Sequence, residues 1–143
     1  MSSPKIVIDT NVLVSALRSS RGASHKLLKM IPEKKFTVCI SPALILEYED
    51  DIKRHIPNEI RLSEKDVDDV LNYLCSVGEP TKIYYLWRPT LKDPSDDMVL
   101  ELAVASGSKV IVTYNLKDFF SSSRFNVLAI TPKDFLQSIG AIP

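Results

Sequence analysis

Lys5-Ile6-Val7-Ile8-Asp9-Thr10-Asn11-Val12-Leu13-Val14-Ser15-Ala16 decides the fold by the order of its residue types. Ile6, Val7 and Ile8 form a short, largely β-branched run without polar alternation, the pattern of a parallel strand buried on both faces. Asp9 ends the run, and Thr10 to Leu17 reads as a helix. A buried strand that stops at an acid and passes straight into a helix is the signature of an α/β unit, whose chemistry lies beyond the carboxyl ends of the strands.

The alternation repeats outward from this stretch. After the Ser19-Ser20-Arg21-Gly22 break a second helix is expected over Ala23 to Ile31, and a strand over Phe36 to Ile40. Ser41 followed by Pro42 is a strong helix start, and that helix should reach about Arg54 and stop before Pro57. Ser63 and Asp66 form a capping box with Asp in place of Glu, opening a helix from Glu64 to near Gly78. Thr81 to Trp87 has strand character, and Arg88 to Asp93 reads as a loop closed by Pro94, with Ser95 as a cap. Asp96 to Ser106 is mostly apolar on all sides, so a buried helix ended by Gly107 is expected there. Lys109 to Val112 and Asn126 to Ile130 are further strands, and Thr131-Pro132 opens a short last helix. The fold class is therefore α/β, with a central, mainly parallel sheet and helices on both faces. No internal repeat is present.

The bulk properties agree. A chain of 143 residues suits one domain, expected to span 1–143, and can bury about 70% of its unfolded surface. Hydrophobic residues make up 45% and charged residues 25%, an ordinary globular balance. Lys plus Arg and Asp plus Glu both number 18, so the net charge is zero. That excludes a nucleic-acid binder held by overall positive charge; binding would need a local basic patch or a bound metal. Arg18, Arg21, Lys26, Arg88 and Lys92 fall near the predicted site, either gripping phosphates or as scattered solvated charge. Cys39 and Cys75 give neither a disulfide framework nor a zinc spacing. The two histidines, His25 and His55, lack any ligand-like spacing and read as surface or half-buried residues. Nothing at the N-terminus resembles a signal peptide and no apolar run approaches a membrane span of about 18 residues, so a cytoplasmic protein with no membrane partner is expected.

Four strand-end segments carry polar groups of one chemistry. Asp9 ends the first strand; Glu47 lies in the helix after the second; Asp96 and Asp97 open the buried helix; Thr113-Tyr114-Asn115-Leu116-Lys117-Asp118 follows the strand at Lys109. Carboxylates gathered at one edge repel one another, and a divalent cation removes the conflict. Oxygen donors without a His or Cys cluster suit Mg²⁺ or Mn²⁺. Taken alone, Asp9 could equally be a helix cap, and Asp96 and Asp97 could serve only the helix dipole. Periodicity does not single out Glu47, because Asp51 lies nearer the apolar face of that helix. Asn11 either holds Asp9 or is only a first-turn polar residue; Thr113 either bonds at the strand end or sits beside a bound phosphate. Leu27, Leu28, Leu71, Tyr73, Leu74, Phe119 and Phe120 read as packing residues, or in part as a dimer surface.

Four blocks in order resemble the motifs of PIN-domain nucleases. They are Asp9-Thr10-Asn11-Val12-Leu13-Val14-Ser15-Ala16, Ile40-Ser41-Pro42-Ala43-Leu44-Ile45-Leu46-Glu47, Lys92-Asp93-Pro94-Ser95-Asp96-Asp97-Met98-Val99-Leu100-Glu101-Leu102-Ala103, and Val112-Thr113-Tyr114-Asn115-Leu116-Lys117-Asp118-Phe119. The subgroup they most resemble is the VapC-like toxins of prokaryotic toxin–antitoxin pairs. The resemblance implies a three-layer PIN-like fold and an Mg²⁺- or Mn²⁺-dependent endoribonuclease. Asp9, Glu47 and Asp97 match the metal-binding acids, with Asp93 and Asp96 as fallback candidates for the third. Where many members carry a fourth acid this chain has Asn115, followed by Asp118. A homodimer and a cognate antitoxin protein are implied in the same way.

The competing class is a PIN-fold RNA-binding or scaffold protein without chemistry, for which Asn115 speaks. Phosphotransfer enzymes of the haloacid-dehalogenase type need a second Asp two residues after the first, where this chain has Asn11. Receiver domains want adjacent acids at the first strand, and no Gly-rich phosphate loop is present.

Overall fold

Strand β1 (Lys5–Ile8) is apolar on both faces because it is covered on both faces and paired on both edges. Ile6, Val7 and Ile8 are 0%, 0% and 3% exposed, each worth about 1.5–3 kcal/mol of burial. On one side β1 pairs in parallel with β2 (Thr37–Ile40), which pairs with the short β3 (Glu79–Pro80). On the other side it pairs with β4 (Val110–Val112), which pairs with β5 (Leu128–Ile130). The sheet order is β3-β2-β1-β4-β5 and every pair is parallel, with Ile6 opposite both Val38 and Val110. The computed structural model describes residues 3–82 and 94–143.

The helices are α1 (Thr10–Arg18), α2 (Ala23–Met30), α3 (Pro42–Arg54), α4 (Glu64–Val77), α5 (Pro94–Ser106) and α6 (Pro132–Ser138). Helix α1 packs on α2 and α3, α3 on α4, and α6 on α2. Helix α5 packs on β1, β2 and β4 and on a 3-10 segment, Leu116–Phe125. With the right-handed crossovers that parallel strands favour, this strand order puts α1 to α4 on one face of the sheet and α5 on the other, three layers in all. The chain builds outward from β1 through β2 and β3, then crosses back to lay β4 on the opposite side. That reversal opens a crevice at the carboxyl ends of β1 and β4.

The start signals read from sequence act as expected. Ser41 Oγ accepts from the Leu44 N–H at 3.2 Å, and both arms of the Ser63–Asp66 capping box form. Thr131 Oγ1 caps α6 by accepting from the Asp134 N–H. Gly107 ends α5 at φ +76°, a left-handed position where a side chain would be strained.

Several bounds differ for local reasons. Helix α2 stops at Met30 because Pro32 tightens the chain into a 3-10 turn over Ile31–Glu33. Helix α5 begins at Pro94, a favoured first helical position, so Ser95 lies inside the helix rather than capping it. Strand β5 starts at Leu128 because Asn126 takes a left-handed turn, φ 59°, to leave the preceding segment. The strand expected over Thr81 to Trp87 is preceded by the described pairing at Glu79–Pro80, and the Thr81 N–H extends it to the Ile40 carbonyl. The rest of that strand, and the Arg88 to Asp93 loop with Arg88, Lys92 and Asp93, lie outside the described residues. Leu27, Leu71, Leu74 and Phe119 are core, whereas Tyr73 and Phe120 are exposed. No helix among the described residues is long and apolar enough to cross a membrane.

Candidate active site

The crevice between β1 and β4 is occupied first by Asp9. Its backbone N–H donates to the Val112 carbonyl at 2.9 Å, continuing the β1–β4 ladder one residue past the strand. Its side chain caps α1, Oδ1 accepting from the Thr10 N–H at 2.9 Å. The second oxygen, Oδ2, accepts from Thr113 Oγ1 at 2.7 Å. Thr113, fully buried at the end of β4, also accepts the Asn115 N–H at 2.9 Å, so one hydroxyl ties the acid to the loop beyond the strand. Asp9 is therefore a helix cap, and its second oxygen is held from β4, so the cap does not stand against a role in a site.

Electrostatics set Asp9 apart. Burial is the main cause that holds its carboxyl above the usual carboxylate range, and the charges of Glu47 and Asp118 push in the same direction. The hydrogen bonds from Thr113 and Thr10 pull the other way without cancelling them. Among the described residues no Lys or Arg forms an ion pair with Asp9, Glu47 or Asp118.

Glu47 reaches the site from α3. Its Oε2 accepts from Thr10 Oγ1 at 3.1 Å, which fixes the carboxylate beside the first turn of α1. Asp51, one turn later, is instead paired with Arg54 at 3.0 Å. That contrast separates two acids that periodicity could not. Tyr48 lies between the sheet and α3, fully buried, and donates to the Ile8 carbonyl. Burial first, then the nearby Asp9 and Glu47 charges, hold its phenol well above the usual range, so it stays a neutral donor.

Asp96 and Asp97 lie in the first turn of α5, both 8% exposed, on the helix that packs against β1. Glu101, four residues after Asp97 and equally buried, shares that face of the helix. It was not singled out in the sequence, where it is lost in an apolar stretch; the i, i+4 spacing from Asp97 is the signal that finds it. Thr10 and Tyr48 were likewise missed. Asn11 does not reach Asp9: its Oδ1 accepts from the Tyr114 N–H at 3.4 Å and so holds the loop after β4. Asn115 opens the 3-10 segment that carries the exposed Asp118.

Among the described residues no three His, Cys, Asp or Glu side chains stand close enough to hold an ion as they are. The donor chemistry nonetheless fits a hard divalent cation. Asp9, Glu47 and Asp118 offer oxygen only, and their mutual repulsion is the conflict such a cation relieves. A cleft of about 480 Å³ opens beside them, lined by residues from α1, from the end of α3, and by Tyr114 and Asn115.

A family model described as PIN domain matches residues 5–117. An uncharacterized protein of Methanocaldococcus jannaschii is 27% identical over 150 residues, covering 93% of this chain and 90% of its own length. A chain in the crystal structure of VapBC2 from Rickettsia felis bound to a DNA fragment from their promoter has the same fold, with a TM-score of 0.59. It is 15% identical, and the match covers 87% of this chain and 96% of that one; at this identity the likeness speaks for the fold alone.

Proposed function

The chain belongs to the PIN-domain family, and from that premise we propose that it is a metal-dependent endoribonuclease, the toxin of a toxin–antitoxin pair, working in the cytoplasm as one domain over residues 1–143. The observation that carries this reading is Asp9: a buried carboxyl held above its usual range by burial and by Glu47 and Asp118, with no cationic partner among the described residues. A group kept in that state serves the fold poorly and a divalent ion well.

In this reading Asp9, Glu47 and Asp97 hold Mg²⁺ or Mn²⁺, with Asp118 completing the acidic set where many family members carry an acid at the place of Asn115. When bound, such an ion supplies a hydroxide-like nucleophile at neutral pH and stabilises the leaving oxygen of an in-line displacement. Thr113 keeps Asp9 Oδ2 aimed by donating to it, and Thr10 does the same for Glu47. Tyr48 holds the end of β1 from beneath, so that Asp9 does not shift as the site fills. Asn115, anchored through its backbone to Thr113, orients the loop on which Asp118 stands. The family resemblance supports two partners, a protein antitoxin and a second copy of the chain.

The test is cleavage of a labelled single-stranded RNA with Mn²⁺, Mg²⁺ or EDTA, comparing wild type with Asp9→Asn. Cleavage in metal, abolished by EDTA and by the substitution, is the expected result. Equal cleavage by Asp9→Asn would sink the assignment. A second reading, an RNA-binding protein without chemistry, is favoured by Asn115 alone; RNA retained but uncut in Mn²⁺ would select it.

A further inference from the structure

The cleft beside the acids contains residues that the cleavage chemistry leaves unused. It follows α1 from Asn11 to Arg18, a span of about 10 Å by helix rise. Tyr114 on its wall is 46% exposed, yet the side chain is tethered. Its hydroxyl is hydrogen-bonded to Ser24 Oγ and its own N–H reaches Asn11 Oδ1. An exposed ring held in place along an open groove offers a stacking face to an unpaired base.

A guanidinium stands at the other end. Arg18 Nη1 lies 3.4 Å from Glu59 Oε2, and His55 Nε2 lies 3.8 Å from the same oxygen. The other ring nitrogen of His55 is 2.7 Å from the Asp51 carbonyl, which fixes the ring with Nε2 toward Glu59. Asp51, the acid in the lining, is paired with Arg54 at 3.0 Å and does not oppose an incoming anion at full strength. The carboxylate oxygen held by the Arg18 guanidinium marks a place that suits a phosphate oxygen.

We propose that this cleft binds the nucleotide next to the cleaved bond in a single-stranded RNA. Tyr114 stacks on its base, and Arg18 exchanges Glu59 for its phosphate. The inference rests on the ribonuclease reading for its substrate, while its geometry stands independently of catalysis.

The experiment measures binding of a fluorescein-labelled single-stranded RNA to the full chain in EDTA, where cleavage is off, by anisotropy across a salt series. The kcat and KM with Mn²⁺ are measured alongside. Tyr114→Ala should weaken binding by about fivefold or more, and Tyr114→Phe, which keeps the ring, by about twofold at most. Arg18→Ala should raise Kd and KM together by about threefold or more, and flatten the salt slope by about 0.7, the share of one phosphate on a single strand. Glu59→Gln should tighten binding, a direction that damage to the fold would not produce. Lys65→Ala, an equal loss of charge on exposed α4, should leave affinity and slope unmoved. Wild-type binding by both Tyr114→Ala and Arg18→Ala overturns the proposal, and so does tighter binding of single-stranded DNA or duplex RNA. Binding through the cleft without cleavage in Mn²⁺ would remove the ribonuclease reading and leave the cleft standing; cleavage with both variants unaffected would do the reverse.

Discussion

Thr113→Val replaces a hydroxyl by a methyl at a fully buried position of nearly unchanged shape. The wild-type hydroxyl donates to Asp9 Oδ2 at 2.7 Å and accepts from the Asn115 N–H at 2.9 Å. A hydrogen bond to a charged group is worth about 1.5–3 kcal/mol, and the neutral one adds about 0.5–1 kcal/mol, so the variant should lose roughly 2–4 kcal/mol. For a chain of this size that is a fall in Tm of roughly 6–15 °C. Thr113→Ser keeps both bonds and gives up one methyl, about 1 kcal/mol. The sign on acidity follows from the same contact. The Thr113 bond lowers the Asp9 pKa against the upward pull of burial, so its loss raises that pKa further. A metal ligand must be deprotonated, hence the acid limb of the Mn²⁺-dependent rate should move to higher pH in Thr113→Val and stay near wild type in Thr113→Ser. Urea denaturation followed by circular dichroism, with the pH–rate profile of RNA cleavage, measures both effects. Equal stability of the Val variant and wild type, or matching losses in Val and Ser, would refute the claim that this hydroxyl is what holds Asp9.

Four further outcomes are expected. Because the folded protein raises the Asp9 pKa, it favours the neutral acid; the resulting penalty is present above that pKa and relieved as pH falls through it, so Asp9→Asn should raise Tm at pH 7 in EDTA while abolishing cleavage. Mn²⁺ at a hundred times its Kd should stabilise wild type by about 2.7 kcal/mol and leave Asp9→Asn unmoved, a contrast read by thermal melts with and without metal. Glu47→Gln should lose metal-dependent activity at least tenfold while Asp51→Asn, whose carboxylate is paired with Arg54, stays within about threefold; the reverse order would show that the wrong acid of α3 was chosen. Ser63→Ala removes one arm of the α4 capping box, distant from the acids, and should cost about 1 kcal/mol with no change in cleavage rate.

Local signals were sufficient for much of this architecture. β-branched runs gave β1, β2 and β4, and the Ser41-Pro42, Ser63 and Thr131 starts were legible because a cap acts within one helical turn. Asp9 was visible for the same reason, as the acid at a strand end. What escaped depended on distant partners. Which acid of α3 stands beside the first turn of α1 is decided by the Thr10 hydroxyl, 37 residues from Glu47. Tyr48 is core, and its hydroxyl also holds the end of β1, a contact 40 residues away in the chain. The 3-10 segment Leu116–Phe125 has no 3.6-residue periodicity to reveal it, and its exit through a left-handed Asn126 shortened the strand expected behind it. Asn11 illustrates the remaining kind of error: one reading had it hold Asp9, and its side chain instead accepts from the Tyr114 N–H.

The switch of sheet direction at β1 also controls when the crevice can exist. Asp9 and Thr113 lie 104 residues apart, and β1 cannot acquire its β4 neighbour before that interval has been synthesised. At about 5–20 residues per second on the ribosome, Asp9 emerges roughly 5–20 s ahead of the hydroxyl that aims it. A nascent chain therefore carries the acid without its setting until β4 has been made. Any activity of this crevice has to wait for that strand, a delay that comes from strand order alone.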